Sequence, residues 1–169
     1  MTINHKHQSE IEELSRLIEK GQEEEALASF DKYLSDIHSL EPPPVDVYLL
    51  RNWKKDVYYL GDQINVKGYS KRFISKIEDH LGSAGKAHKE TLEFMRSTIV
   101  IGFIADSIFK ERLCVLIKEY PQNPDFRYIL GRVYYKEKDY LKAAELYKTA
   151  TQLNIDFYEY TKRLSGNRK

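Results

Sequence analysis

Apolar residues recur at helical spacing along most of the chain, and short polar, proline or glycine breaks separate the runs. Ile11, Leu14, Leu17 and Ile18 form one stripe with the three- and four-residue steps of an amphipathic helix. Ser9 is its predicted cap, with Glu12 at the spacing of a capping box, and residues 1–8 are expected to be a polar tail. Gly21-Gln22 ends this helix, and Glu23 to Asp36 is predicted to form the next, its Glu23–Glu25 opening suiting the helix dipole. Pro42-Pro43-Pro44 favours a stiff polyproline connector over 41–45. Asp46 then caps a predicted helix from Val47 to Asn65 that carries Tyr48, Leu49, Trp53, Val57 and Leu60. Gly68-Tyr69 turns the chain into a helix over Ser70–Leu81, with Phe73, Ile74, Ile77 and Leu81 on one face. Residues 87–104 are read as a long, largely buried helix, with a strand at the β-branched run Thr98–Ile101 as the alternative.

The most regular stretch is Pro124 to Ile155, PDFRYILGRVYYKEKDYLKAAELYKTATQLNI. Gly131 and Ala143 lack bulk where two antiparallel helices must approach closely. Leu130, Tyr134 and Tyr147 are sized to fill the space around that contact, and Ala150 leaves room for a further helix. Lys136–Lys138 suit the C-terminal end of the first helix, and Asp139 can cap the second. This order of Leu-Gly, Tyr, Ala, aromatic and Ala resembles a tetratricopeptide repeat, a helix-turn-helix unit of about 34 residues. Arg127 stands where that family often has Trp, Tyr147 where it has Phe, and Ile155 where it has a closing Pro. Ala26, Phe30 and Tyr33 take the roles of Ala143, Tyr147 and Ala150 in a degenerate repeat over 9–40, where Gly21 corresponds to Lys138 and Glu13-Leu14 replaces Leu-Gly. Stepping back one repeat from Pro124 puts Val100, Leu113, Leu116 and Pro121 on repeat-like positions, with Arg96-Ser97 and Phe109 departing from the pattern. That makes 89–123 a second degenerate repeat, 46–88 a pair of divergent helices, and 124–155 the best match.

The expected fold is therefore all-α, a right-handed superhelical array of antiparallel helix pairs within one domain over 9–164. Asp156 to Leu164, with Phe157, Tyr158 and Tyr160, is expected as a short closing helix covering the end of the stack, and 165–169 as a polar tail. In tetratricopeptide repeats the first helix of each pair lines the concave face. The resemblance thus implies that Asp125, Tyr128, Arg132, Tyr135 and Lys136 face a protein or peptide ligand. Aromatic and arginine side chains are favoured interface anchors, and Arg132 with Lys136 one turn on can grip a carboxylate. The competing assignment for Tyr128 and Tyr135 is packing against the preceding helix. Neither Tyr128 nor Arg132 supplies the Lys and Asn of the family's carboxylate clamp.

Composition narrows the other classes. With 31% charged and 41% hydrophobic residues the chain has a soluble protein's balance, and a net charge of +1 does not suit a strongly basic nucleic-acid binder. The most basic stretch, Lys67, Lys71, Arg72 and Lys76 beside Tyr69 and Phe73, is the candidate for a nucleic-acid alternative over 67–76, set against Glu78 and Asp79. The N-terminal residues hold no apolar core of a secretory signal, no run is long enough to span a membrane, and a cytoplasmic location is expected. Cys114, in the apolar context RLCVLI, is expected in the core. His5 and His7 have no third ligand nearby and are assigned to a surface tail. Gly82-Ser83-Ala84-Gly85-Lys86 departs from a phosphate-binding loop at His80 and Ala87 and is read as a turn. No catalytic, metal or cofactor pattern emerges. The expected function is a non-catalytic adaptor, scaffold or chaperone-like module that binds a peptide or partner domain and has self-association open to it. A helical regulatory module of an enzyme is the remaining alternative.

Overall fold

The computed structural model describes residues 3–38, 47–100 and 107–166, with side chains for 9–36, 54–85, 88–99 and 107–156. Among the described residues the fold is all-α, with eight helices: α1 (Ile3–Glu19), α2 (Glu23–His38), α3 (Val47–Lys67), α4 (Ser70–Leu81), α5 (Lys86–Val100), α6 (Ser107–Glu119), α7 (Pro124–Lys136) and α8 (Tyr140–Gly166). Packing divides the chain into two compact units, Met1–Phe103 and Ile104–Lys169. The proline connector and the side chains of Tyr48, Leu49, Trp53, Val100, Phe157, Tyr158 and Tyr160 lie outside what is described.

Three helix pairs are joined by the same turn. At Gly21, Gly68 and Lys138 the backbone enters the left-handed region, with φ of 77°, 79° and 66°. In each turn the left-handed residue's N–H bonds to the carbonyl three residues back, as Gly21 to Ile18, Gly68 to Asn65 and Lys138 to Tyr135. The following N–H reaches back five, as Gln22 to Leu17, Tyr69 to Ile64 and Asp139 to Tyr134. This satisfies the last carbonyls of one helix, and the next helix opens at once on the carbonyls of Gln22, Tyr69 and Asp139. Glycine reaches that conformation without strain. Lys138 does so at a cost.

In the first unit α1 packs on α2 and α3, α3 on α5, and α4 on both α2 and α5. Helices α1, α3 and α5 thus make one row, and α2 and α4 a second. The α1 stripe Ile11, Leu14, Leu17 and Ile18 is buried, together with Ala26, Phe30 and Tyr33 of α2 at the positions the repeat pattern assigns to buried contacts. Phe30 meets Phe73 of α4 with ring centroids 4.8 Å apart, which locks the second row. In the first row, Gly61 lets α3 approach α5 so closely that a Cβ there would lie 3.0 Å from the Thr98 carbonyl oxygen. Asn65 pins the same contact by donating to the carbonyls of Gly61 and Ile99, while its own oxygen accepts from Ser70 at the start of α4.

Two local expectations are corrected. Ser9 lies inside α1, which begins at Ile3, because no glycine or proline interrupts residues 3–8. Residues 156–164 continue α8 without a break, since Ile155 stands where a closing proline would have ended the helix. Residues 98–100 are helical, so the strand alternative does not apply to them.

Candidate protein-interaction site

The second unit is built on α7. Asn123 opens it in an extended conformation, its side chain accepting from the Asp125 N–H at 2.8 Å, and Pro124 occupies the first turn, where no N–H is needed. Phe126, Ile129, Leu130 and Val133 are buried, as are Phe109, Leu113 and Leu116 of α6 and Ala143 and Ala150 of α8, and α7 packs on both of those helices. Another face of α7 leaves four of the five residues expected to meet a ligand open to solvent, fully or in part. Tyr128 is 40% exposed and Tyr135 58%, Arg132 is half-buried between them, and Lys136 is exposed one turn beyond Arg132. Asp125 shares that side of the helix by register but is buried. It is only 8% exposed, in the first turn of α7, where its charge suits the helix dipole.

Two tyrosines of α8 complete the surface. Gly131 has no side chain, and the ring of Tyr147 lies against it so closely that a Cβ would meet Cε1 at 2.7 Å. This seats Tyr147 beside Tyr128, with centroids 5.6 Å apart, and at the other end of the hairpin Tyr135 meets the edge of Tyr140 at 5.3 Å. Burial raises the Tyr147 phenol above its ordinary range, Tyr128 and Tyr135 add to the rise, and Arg132 opposes it. Tyr128, Tyr147, Tyr135 and Tyr140 therefore form one strip with the Arg132 guanidinium within it. The competing assignment put Tyr128 and Tyr135 against the preceding helix. Their ring partners instead come from the following helix, and both stay exposed.

The acids near this strip are engaged elsewhere. Both Glu137 carboxylate oxygens accept from the Lys110 ammonium at 3.0 Å, a bond that holds the Lys110 pKa above its usual value. Asp139 caps α8, accepting from the Lys142 N–H at 3.3 Å, and its carboxylate also lies 3.7 Å from the Lys142 ammonium. Lys110 and Lys142 sit over the Tyr134 ring, at 5.4 and 5.2 Å. Among the described residues Arg132 has no carboxylate partner. The strip has a cationic centre and aromatic ends.

No protein-family model matches the chain, and no curated protein or solved structure matches it. Its chemistry has to be read from its own residues.

The basic stretch at the α3–α4 turn is differently placed. Arg72 bonds Glu23 at 3.0 Å and Glu24 at 2.9 Å, and hydrogen bonding to Arg72 holds Glu24 below the usual carboxylate range. Phe73 is fully buried, with Tyr69 stacked on it at 6.3 Å. Glu23 and Glu24 thus lie against the cation, and one of the two aromatic rings cannot stack on a base. His80 bonds Asp31 at 2.9 Å, and Arg96 bonds Glu78 at 3.2 Å, so these two pairs also tie helices together. Cys114 is exposed, not in the core, because it falls one residue off the inward stripe Phe109, Leu113 and Leu116. Gly82–Gly85 forms a turn after a helix, and His5 and His7 lie in α1 with their side chains outside those described. Among the described residues no three His, Cys, Asp or Glu side chains group to hold a metal ion, and no helix is long and apolar enough to cross a membrane.

The expected site omitted Tyr147 and Tyr140. Their signal was present in the sequence. In an antiparallel hairpin whose close contact joins Gly131 to Tyr147, the register sets Tyr128 beside Tyr147 and Tyr135 beside Tyr140.

Proposed function

We propose that this chain is a non-catalytic protein-interaction module, an adaptor or scaffold that holds a peptide or partner domain on the exposed face of α7. The observation that carries this reading is the strip of Tyr128, Arg132 and Tyr135 with Tyr147 and Tyr140. Tyrosine and arginine are the residue types that anchor interfaces, and here three exposed tyrosines and the half-buried Tyr147 are contiguous around a cation that has no carboxylate partner among the described residues. We further propose that the helix pairs belong to a tetratricopeptide-like, right-handed superhelical array. The repeated left-handed turn at Gly21, Gly68 and Lys138 supports this, as do the two-row packing of α1–α5 and the glycine contact of the α7–α8 pair. In such an array the α7 strip faces the concave side.

Capture from the native cell extract tests the module. A Tyr128→Ala, Arg132→Ala double variant, matched to wild type in helicity and melting temperature, should lose a protein that wild type captures. Equal capture by both would move the site off α7, and capture abolished by nuclease would favour the nucleic-acid alternative.

A further inference from the structure

We infer that the α7–α8 strip takes an acidic segment of a partner protein, with one carboxylate on Arg132 and apolar side chains on the tyrosine pairs to either side of it. This rests on the module reading above and specifies the chemistry of its ligand. Three features point to it. The first is charge. Arg132 is half-buried among tyrosines with no carboxylate partner among the described residues, while the nearby Glu137 and Asp139 are engaged by Lys110, Lys142 and the α8 N-terminus. A guanidinium held in an aromatic setting gains most from a carboxylate, which it binds through two parallel hydrogen bonds.

The second is the aromatic bracket. Tyr128 with Tyr147 and Tyr135 with Tyr140 form two ring pairs, one at each side of Arg132 along α7. Each pair offers an apolar ring face and a hydroxyl able to bond a peptide backbone. The third is spacing. At 1.5 Å of rise per residue, Tyr128 and Tyr135 stand about 10 Å apart along the axis, with Arg132 about 6 Å from the first. In an extended peptide, side chains on one face recur about every 6.7 Å. An extended segment with an acidic residue over Arg132 would set its second neighbours about 1 Å beyond Tyr128 and about 2 Å beyond Tyr135 along the axis, offsets that side-chain rotamers can absorb. A helical segment presenting side chains at i, i+4 and i+7 meets the same three positions, at about 6 and 4.5 Å of rise.

Two fluorescent peptides of sequence Ser-Leu-Ser-Glu-Ser-Phe-Ser and Ser-Leu-Ser-Gln-Ser-Phe-Ser test this with the full chain, by polarisation. The acidic peptide is expected to bind with a Kd of about 10–100 μM, and the Gln peptide about tenfold more weakly. Arg132→Gln should bind both peptides with the weaker affinity. Tyr128→Ala should weaken both and keep their ratio. The Gln substitution in the peptide leaves the protein untouched, so this comparison does not depend on the variants folding. Equal binding of the two peptides by wild type, or binding of neither at about 1 mM, would overturn the acidic ligand. If the double variant nonetheless loses a captured protein, the module stands and only its ligand chemistry is wrong. Tighter binding of a single-stranded oligothymidine, lost in Arg132→Gln, would also overturn the acidic segment.

Discussion

Tyr147 lies against α7 because residue 131 contributes no Cβ, and this small absence sets the geometry of the strip. Gly131→Ala would drive a methyl group into the ring edge. The ring is half-exposed and can swing outward, so the cost is chiefly the lost aromatic contact, about 0.5–1.5 kcal/mol. Alanine's better helix propensity returns about 0.5–1 kcal/mol. The melting temperature should move by only a few degrees, while the Tyr147 phenol returns toward its ordinary value of 10.0. Phenolate absorbance followed against pH would show the shift, and an unchanged titration with an unchanged ring would contradict the seating argument. The sign of the pH effect follows from the direction of the shift. Burial raises the folded phenol's pKa, so its contribution to stability is complete below the unfolded value of about 10 and is lost as pH rises through the higher folded value. Melting temperature should therefore fall in that alkaline window, and Tyr147→Phe should flatten the fall.

At the level of elements, the three left-handed turns make a comparison possible within one molecule. Gly21 and Gly68 adopt positive φ freely, whereas Lys138 holds φ of 66° with a Cβ that crowds the next carbonyl. Lys138→Gly should stabilise the chain by about 1 kcal/mol, visible as a rise in melting temperature of a few degrees. No rise would mean that the lysine side chain makes compensating contacts. Gly61→Ala offers the opposite case. Its Cβ would meet the Thr98 carbonyl oxygen and carbon, at 3.0 and 3.2 Å, and a helix backbone cannot swing aside as a half-exposed tyrosine ring can. A loss of about 1–3 kcal/mol is expected, larger than for Gly131→Ala, and denaturant titration of the two variants would rank them. These glycines also show how far the sequence was legible. Leu130-Gly131 stood out because Ala143 and Tyr147 follow it within one hairpin. Leu60-Gly61 has the same seven-residue distance to its left-handed residue, Gly68, yet escaped notice, because its close partner is Thr98 of α5 and not the helix that follows it. A pattern matched within one helix pair sees contacts between neighbours in sequence and misses those between rows. The long α3 added to this, since Gly21 and Gly68 lie further apart than the repeat length of about 34 residues allows. Helix existence was easier to read: Ser70–Leu81 matches its prediction at both ends. The joined α8 and the early start of α1 were not legible, because no local breaker distinguishes continuing a helix from capping a new one.

Over the whole chain, 27 basic and 26 acidic residues leave a net charge of only +1, so ionic binding has to arise from local arrangement and not from a bulk field. The two candidate arrangements predict different salt dependence. At Lys67, Lys71, Arg72 and Lys76 any nucleic acid would be held by several phosphate contacts. Four such contacts would lose about 10²-fold in affinity between 50 and 200 mM salt. Before binding, Arg72 would also have to give up Glu23 and Glu24, whose charges repel phosphate. At the α7–α8 strip one guanidinium meets one carboxylate between apolar ring pairs. Screening over the same salt range should weaken that by only about two- to threefold, because the aromatic contacts carry no salt dependence. Measuring the acidic peptide and an oligothymidine against salt on the same protein separates the two. A shallow slope for the peptide, with oligonucleotide retention gone by about 150 mM, is the expected pair of results. A steep slope for the peptide would mean that more cations than Arg132 reach it, and the single-carboxylate geometry would then have to be abandoned.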